Sequence, residues 1–553
     1  MKKTKNCKIL PPHPYLGELK DQFQTGKVSR RDFLRQATLL GMSAVAATTF
    51  SSAMFPFPAY ATSTAQPKRG GTFKFAVKIK GVDDPARLSW VDGSNIVRLV
   101  SEHLTVTDSE NVTHPQLLER WAASEDLKTW DLYLRKGIKF NNGDEMTAAD
   151  VMFTFKHWLT KSNGSSMFGL LSYIGGFQNV EKVNPYQIRL HLEKPNIAVP
   201  EHLFHYPGML LHRDFDGDFL KKPIGTGPFI LSEFVEGERC IMTARKDYWR
   251  KGLDGLPLPY IDRVMFLDMD KDAAIAALCT QQIDAIMTPR PSDYLTAKNI
   301  PGLVTYPVKT ANTFVVKMRI DTAPWDDNRV RTAMKMCQDR KKLLRLAAFN
   351  EGVVGIDAHV APVHPEWCPK PTPKYDPEGA LKLLKEYAKE KDLQLPLKVT
   401  LSTKNNLDEP SIAQGLKEMA LPGGFDIQLD ITEPGGYWSR WTEVSFGITS
   451  WSHRPLGTMI LPLAYTKESI GAWNETRWHD EEFTKYLREA EATLDVNQRR
   501  EIMCKLEDIM QERGPIGISY YSHRWEILLE KWKNVKAHPS QYTEYIKEMW
   551  MDS

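Results

Sequence analysis

Gly70-Gly71 is followed by Thr72-Phe73-Lys74-Phe75-Ala76, an alternation that predicts a strand opening after a flexible lead. Leu132-Tyr133-Leu134-Arg135 predicts another strand, and Asn141-Asn142-Gly143-Asp144 a turn. Thr147 with Asp150 three residues on is a helix-start pattern, and Val151, Phe155, Trp158 and Leu159 then recur on one helical face. Further along, Phe314-Val315-Val316-Lys317-Met318 reads as a strand, and Val330, Ala333, Met334 and Cys337 line a helix. Asp376-Pro377-Glu378 combines an N-cap with proline at the first helical position, and Ala380, Leu383, Leu384 and Tyr387 form the apolar face behind it. Helical spacing returns from about Asp480 to Arg513, with Gly514-Pro515 as the stop. Strands and helices mix throughout, without internal repeat or low-complexity tract. The pattern is that of an α/β protein.

Length and composition narrow this. At roughly 150 residues per domain, 553 residues suggest three to four domains. Charged residues are 25% and hydrophobic residues 42%, which excludes a wholly disordered chain. No apolar run reaches the ~18 residues of a membrane-spanning helix. The formal charge of +3 hides an asymmetry: residues 1–61 hold nine Lys or Arg against three acids, so the remaining residues carry −3. A slightly acidic body with no basic block argues against nucleic acid as a partner.

The basicity has its own explanation. Ser29-Arg30-Arg31-Asp32-Phe33-Leu34-Arg35 precedes a mildly apolar stretch, Gln36 to Phe50, and then Ala59-Tyr60-Ala61. This order resembles a twin-arginine export signal, read by the translocase at Arg30 and Arg31 and cleaved between Ala61 and Thr62. The resemblance implies a periplasmic address. The alternative is an amphipathic helix that happens to begin with Arg-Arg. Apart from Cys7, the cysteines are Cys240, Cys279, Cys337, Cys368 and Cys504, with no Cys-x-x-Cys. That set does not indicate a disulfide framework or a zinc site and allows a single bridge, its pairing left open. Cys337 on its apolar helix face reads as a small buried hydrophobe.

Motifs for catalysis are missing. The chain has no Gly-x-Ser-x-Gly, His-Glu-x-x-His, Walker loop or dinucleotide fingerprint, so no catalytic residue, cofactor or metal is assigned. Gly225-Thr226-Gly227 is only part of a phosphate loop, and Pro228 removes an amide. His202, His205 and His212 lack carboxylates or cysteines at ligand spacing and read as structural histidines.

Several segments together resemble the family 5 extracellular solute-binding proteins of ABC transporters, the dipeptide- and oligopeptide-binding type. They are Leu117-Leu118-Glu119-Arg120-Trp121, Asp126-Leu127-Lys128-Thr129-Trp130, Leu134 to Phe140, Asn142-Gly143-Asp144 and Thr147 to Val151. Gly225-Thr226-Gly227-Pro228-Phe229 leading to Asp247-Tyr248-Trp249, Asp326 to Arg331, Tyr375-Asp376-Pro377, and Asp495 to Arg500 complete the set. The resemblance implies a two-lobed α/β binding protein of the large hinged class with an inserted subdomain. The implied layout is a signal peptide over 1–61, lobe one over 62–114, 223–311 and 520–553, the insertion over 115–222, and lobe two over 312–519. It also implies a monomer that encloses a small solute between lobes and delivers it to a permease and ATPase complex. A ligand-sensing receptor or scaffold on the same fold, and an exported cofactor- or metal-dependent protein, are the alternatives.

Peptide-binding relatives carry a Gly-Trp-x-Gly-Asp-x-x-Asp-Pro type segment whose Asp pairs with the peptide ammonium. Here the matching segment is Thr449-Ser450-Trp451-Ser452-His453-Arg454-Pro455. Trp451 is kept, while His453 and Arg454 stand in place of acids. A cation here favours a carboxylate or phosphate, which Arg can hold bidentately. The competing expectation is that Arg454 pairs with an acid of its own lobe. Lys404 lies near where dipeptide binders place an Arg for the peptide carboxylate. Trp90, Ser94, Asn312, Phe314, Tyr437, Trp438 and Trp441 are the further candidates for lining a site. The identity of the solute stays open.

Overall fold

The computed structural model describes residues 12–54 and 67–552. Cys7 and the expected cleavage point Ala61–Thr62 lie outside the described residues. The chain divides into two compact units. One comprises Met1–Pro289, Thr296–Tyr306 and Glu526–Ser553; the other comprises Arg290–Leu295 and Pro307–Trp525.

The first unit holds Thr72–Ala76, the expected first strand, inside a seven-stranded sheet, where it pairs in parallel with Arg263–Leu267 and Ala285–Ile286. A separate four-stranded antiparallel sheet is built from Leu118–Ala123, Thr129–Leu134, Gln187–His191 and Val180–Asn184. Helix Ala148–Trp158 packs on it. Its Thr147 and Asp150 form the expected capping box, and Val151, Phe155 and Trp158 are fully buried.

Gly225 and Gly227 have a packing reason. A Cβ would sit 2.0 Å from the Val100 carbonyl oxygen at Gly225, and 2.4 Å from that of Leu99 at Gly227. Only glycine allows this approach. Gly227 N donates to Val100 O at 2.8 Å, and the chain then enters strand Phe229–Val235 of the large sheet. The Arg245 guanidinium caps the carbonyls of Gly225 and Gly227. The segment presents carbonyls to a cation, the opposite of a phosphate cradle.

Residues 12–54 fold as three helices, Tyr15–Gln24, Arg30–Leu39 and Ala44–Met54. Ser29 is the N-cap of the second, accepting from Asp32 N, so Arg30 and Arg31 occupy a helical first turn. Arg35 donates to Glu110 O at 2.9 and 3.1 Å, and Trp121 Nε1 donates to Leu39 O at 2.8 Å.

The second unit is organised around a six-stranded sheet in the order Gly352–Val354, Ile516–Ser522, Thr313–Met318, Phe446–Trp451, Leu397–Lys404, Phe425–Thr432. The expected strand at Phe314–Met318 is buried along its whole length. Its period of two divides it between two cores: Phe314, Val316 and Met318 join one cluster and Val315 the other. Val330, Ala333, Met334 and Cys337 belong to the first cluster, as their spacing predicts. Burial pushes the Cys337 thiol up to about 12, which makes it inert. Asp376 caps helix Pro377–Lys391, and the C-terminal helical run is two helices, Glu481–Ala492 and Val496–Arg513. Cys368 and Cys504 form a disulfide, the pairing that spacing alone left open.

Candidate ligand-binding site

In the second unit, Phe425–Thr432, Leu397–Lys404, Phe446–Trp451 and Ile516–Ser522 all run one way, because each of the last two is antiparallel to Thr313–Met318 and the others are parallel to Phe446–Trp451. Their carboxyl ends, Thr432, Lys404, Trp451 and Ser522, therefore share one edge with the amino end of Thr313. Open α/β sheets bind ligands outside that edge, because the loops there are free to carry side chains while the strands fix their positions. Asn312, Lys404, Trp451, His453 and Arg454 all lie on it.

A buried polar network stands at its centre. Tyr437 donates to Thr449 at 2.7 Å, Thr449 Oγ1 donates to Glu475 Oε2 at 2.6 Å, and Trp451 Nε1 donates to Glu475 Oε1 at 2.9 Å. The counter-charge is Lys317, with Nζ 3.6 Å from Glu475 and hydrogen bonds to the carbonyls of Trp441 and Val444. Burial pulls the Lys317 ammonium below its usual value, and Glu475 opposes that shift. Around the network the rings run in edge-on contacts. Trp438 meets Trp441 at 5.6 Å, Trp441 meets Trp473 at 6.0 Å, Trp473 meets Trp451 at 5.8 Å, and Trp451 meets His359 at 5.0 Å. Trp438 is the exposed end of this series, at 40%.

Beside it, Asn312 Oδ1 accepts from His453 N at 3.0 Å while its Nδ2 donates to Thr310 Oγ1. His453 Nδ1 accepts from Ala311 N at 3.1 Å, and its ring stacks at 5.9 Å on His364. Arg454 is largely buried; its Nη1 donates to the carbonyls of Ser452 and His453, both at 3.1 Å. His359 is 1% exposed, and neither ring nitrogen has a hydrogen-bond partner among the described residues. Burial, with help from His364 and then Arg454, pulls its pKa down to about 3, so the ring is neutral.

Several expected site residues are packed inside their own units. Phe314 is core: its register places it on an inward face against Tyr520, at 6.0 Å. Lys404 is buried in an ion pair with Glu409 and donates to Ser450 Oγ at 2.9 Å, so its charge is already matched within its own unit. Ser94, in helix Val91–Val97 of the first unit, is fully buried, donating to Tyr206 O and accepting from Arg98. Trp90 precedes that helix and is half-buried; its ring covers Gly93, where a Cβ would be 2.2 Å from the indole. Tyr437 is also fully buried and serves the network through its hydroxyl.

Sequence reasoning missed Lys317, Glu475, Trp473 and His359. Lys317 carried a signal: a lysine inside an otherwise apolar strand has to find a buried partner. The other three sit in loops and had none.

The histidines of the first unit do not converge. His202 receives the Tyr173 hydroxyl contact at 2.9 Å and is pulled down to about 3 by burial. His212 does have carboxylates beside it, Asp144 and Asp214, the one group among the described residues with metal-ligand proximity. Its Nδ1 accepts from Asp214 N and its Nε2 donates to Asp144 at 3.0 Å, while Arg213 lies 3.5 Å from Asp144. Both ring nitrogens and the local charge are thereby accounted for.

An open sheet with helices on its faces and an aromatic, polar cluster at its carboxyl edge is the arrangement in which α/β proteins place small-solute sites. The chain belongs to the bacterial extracellular solute-binding proteins, family 5, whose model matches residues 112–466. It is 25% identical over 443 residues to Di/tripeptide-binding protein 1 of Pseudomonas aeruginosa (strain UCBPP-PA14), covering 73% of this chain and 79% of that one. Among solved structures it resembles the ABC transporter-associated periplasmic binding protein DppA of Helicobacter pylori in complex with the peptide STSA. That match has a TM-score of 0.78 and 20% identity, and covers 88% and 99% of the two chains. It also resembles AgaA of A. tumefacien R10 in complex with agropinic acid, with TM-score 0.77, 18% identity, and 87% and 99% coverage. The fold is thus the mixed α/β, two-lobed periplasmic binding protein fold expected from the sequence.

Proposed function

We propose that this protein is the periplasmic solute receptor of an ABC importer, and that its solute is peptide-like or a related small polar molecule bearing an anionic group. The observation that carries this reading is the replacement, at the carboxyl edge of the second sheet, of the acids of peptide binders by His453 and Arg454. Trp451, held by Glu475, stands beside them. A guanidinium beside an indole suits a carboxylate attached to an apolar body. AgaA, bound to agropinic acid, supports the view that this fold serves acids other than simple peptides. Delivery to a permease and ATPase follows from the family, and twin-arginine export through Arg30 and Arg31 accounts for the basic N-terminal segment. The protein acts as a monomer.

Native mass spectrometry of the purified protein identifies a co-purified solute, and calorimetry then compares it with an analogue lacking the acid. Arg454→Ala weakens binding by roughly 10- to 150-fold, the equivalent of one charge-assisted hydrogen bond. Arg454→Lys recovers only part of it, because the planar fork is lost. Equal binding of acid and neutral analogue refutes the anionic solute. Export is tested separately: Arg30→Lys with Arg31→Lys leaves precursor in the cytoplasm, and undiminished export refutes the twin-arginine route.

A further inference from the structure

The first unit contains a cavity of about 400 Å³ that no part of the functional reading above uses. Its walls come from the hairpin Thr105–Thr107 and Thr113–Pro115, from Arg135, from Trp249-Arg250, and from the C-terminal segment between Lys536 and Glu548. Its volume lies within the range of about 300–1,000 Å³ typical of small-molecule sites.

The charges around it do not cancel. Three acids line the cavity and each already holds a partner. Asp108 binds His114 at 2.6 Å, Glu544 binds Arg98, and Glu548 binds both Arg250 at 3.1 Å and Lys536 at 2.8 Å. Two cations remain. Lys547 is 5% exposed, and among the described residues its Nζ makes no hydrogen bond and no ion pair. Arg135 donates Nε to Gln116 O at 2.8 Å, and its terminal nitrogens donate to nothing among the described residues. Burial pulls the Lys547 ammonium down to about 8, an unfavourable state that Glu102 and Glu548 relieve only in part.

A buried ammonium with no hydrogen bond and no close ion pair is costly, and an anion from outside the chain would satisfy it. The apolar wall indicates what. The Arg135 guanidinium lies 5.4 Å from the Trp249 ring, and Tyr542 presents a second ring, stacked at 5.1 Å on His538. A carboxylate held by Lys547 and Arg135 leaves its attached group against these rings. We propose that this cavity is a second binding site, taking a small carboxylate with a flat apolar body between Lys547, Arg135, Trp249 and Tyr542.

The test uses fluorine NMR on the full chain with 4-fluorobenzoate, its neutral isostere 4-fluorobenzamide, and inorganic phosphate as competitor. The benzoate binds saturably and at least roughly tenfold more tightly than the amide, the share of one charge-assisted contact. Lys547→Met weakens the benzoate by a similar factor. Arg135→Gln gives the same weakening if Lys547→Met does not fold. Arg454→Ala, in the other unit, leaves benzoate binding unchanged. No saturation up to ~10 mM, equal binding of benzoate and amide, or loss of binding in Arg454→Ala overturns the proposal. Displacement by equimolar phosphate overturns the carboxylate assignment, because the cavity would then read charge alone.

Discussion

Glu475→Ala isolates the element on which the candidate site rests. The substitution removes the acceptor of Thr449 and of Trp451 Nε1 and leaves Lys317, fully buried, without its counter-charge. Removing one partner of a buried pair costs about 3–5 kcal/mol, because the remaining charge keeps its desolvation penalty. The second unit has about 225 residues, for which each kcal/mol lowers Tm by about 2–4 °C, so its transition falls by about 6–20 °C. The sign with pH is specific. Lys317 already titrates below its unfolded value, and losing Glu475 depresses it further. Above the folded and below the unfolded pKa the unfolded chain binds more protons, so the stability of Glu475→Ala rises with pH across that window. Scanning calorimetry of the full chain from pH 7 to 10 measures both effects. The double variant Lys317→Met with Glu475→Gln recovers most of the loss, because no unpaired charge remains. A Glu475→Ala transition within about 2 °C of the parent refutes the argument, and so does a double variant no better than the single.

Two further outcomes follow from the second unit. Replacing Cys368 and Cys504 by Ala opens a covalent loop of 136 residues and lowers stability by about 2–5 kcal/mol, read as a lower denaturant midpoint at unchanged solubility; an unchanged midpoint contradicts it. Glu507 is 1% exposed, and burial lifts its carboxyl from 4.5 to about 9. It is neutral when folded and ionised when unfolded over that range, so stability falls as pH rises through it. Glu507→Gln flattens this fall and melts higher at pH 8; identical pH profiles for the two proteins exclude the carboxyl as its cause.

Much of the local structure was legible in the chain. Thr147 with Asp150, and Asp376 with Pro377, specify helix starts through hydrogen bonds made within a few residues, so no tertiary information was needed. The apolar run at Phe314–Met318 marked a buried strand and the period of 3.6 at Val330–Cys337 marked an apolar helix face, since burial of apolar area drives both. The family's motifs fixed the fold class, and the glycines of Gly225-Thr226-Gly227 marked a close approach without revealing that Val100 and Leu99 are the neighbours.

What tertiary structure alone decided is which side chains share a charge, a ring contact or a wall. Lys404 and Glu409 are five residues apart, but only their common burial makes them a matched pair. Lys317 and Glu475 lie 158 positions apart and meet because Glu475 accepts from Thr449 and Trp451 of the strand that pairs with Thr313–Met318. Cys368 finds Cys504 across 136 residues, a contact that local pattern does not encode. Phe314 and Ser94 were plausible site residues by type, and register and packing turned both inward. Sequence patterns report the free energy of a residue's own segment; the partner of a buried charge, ring or thiol depends on which distant segments the sheet places together.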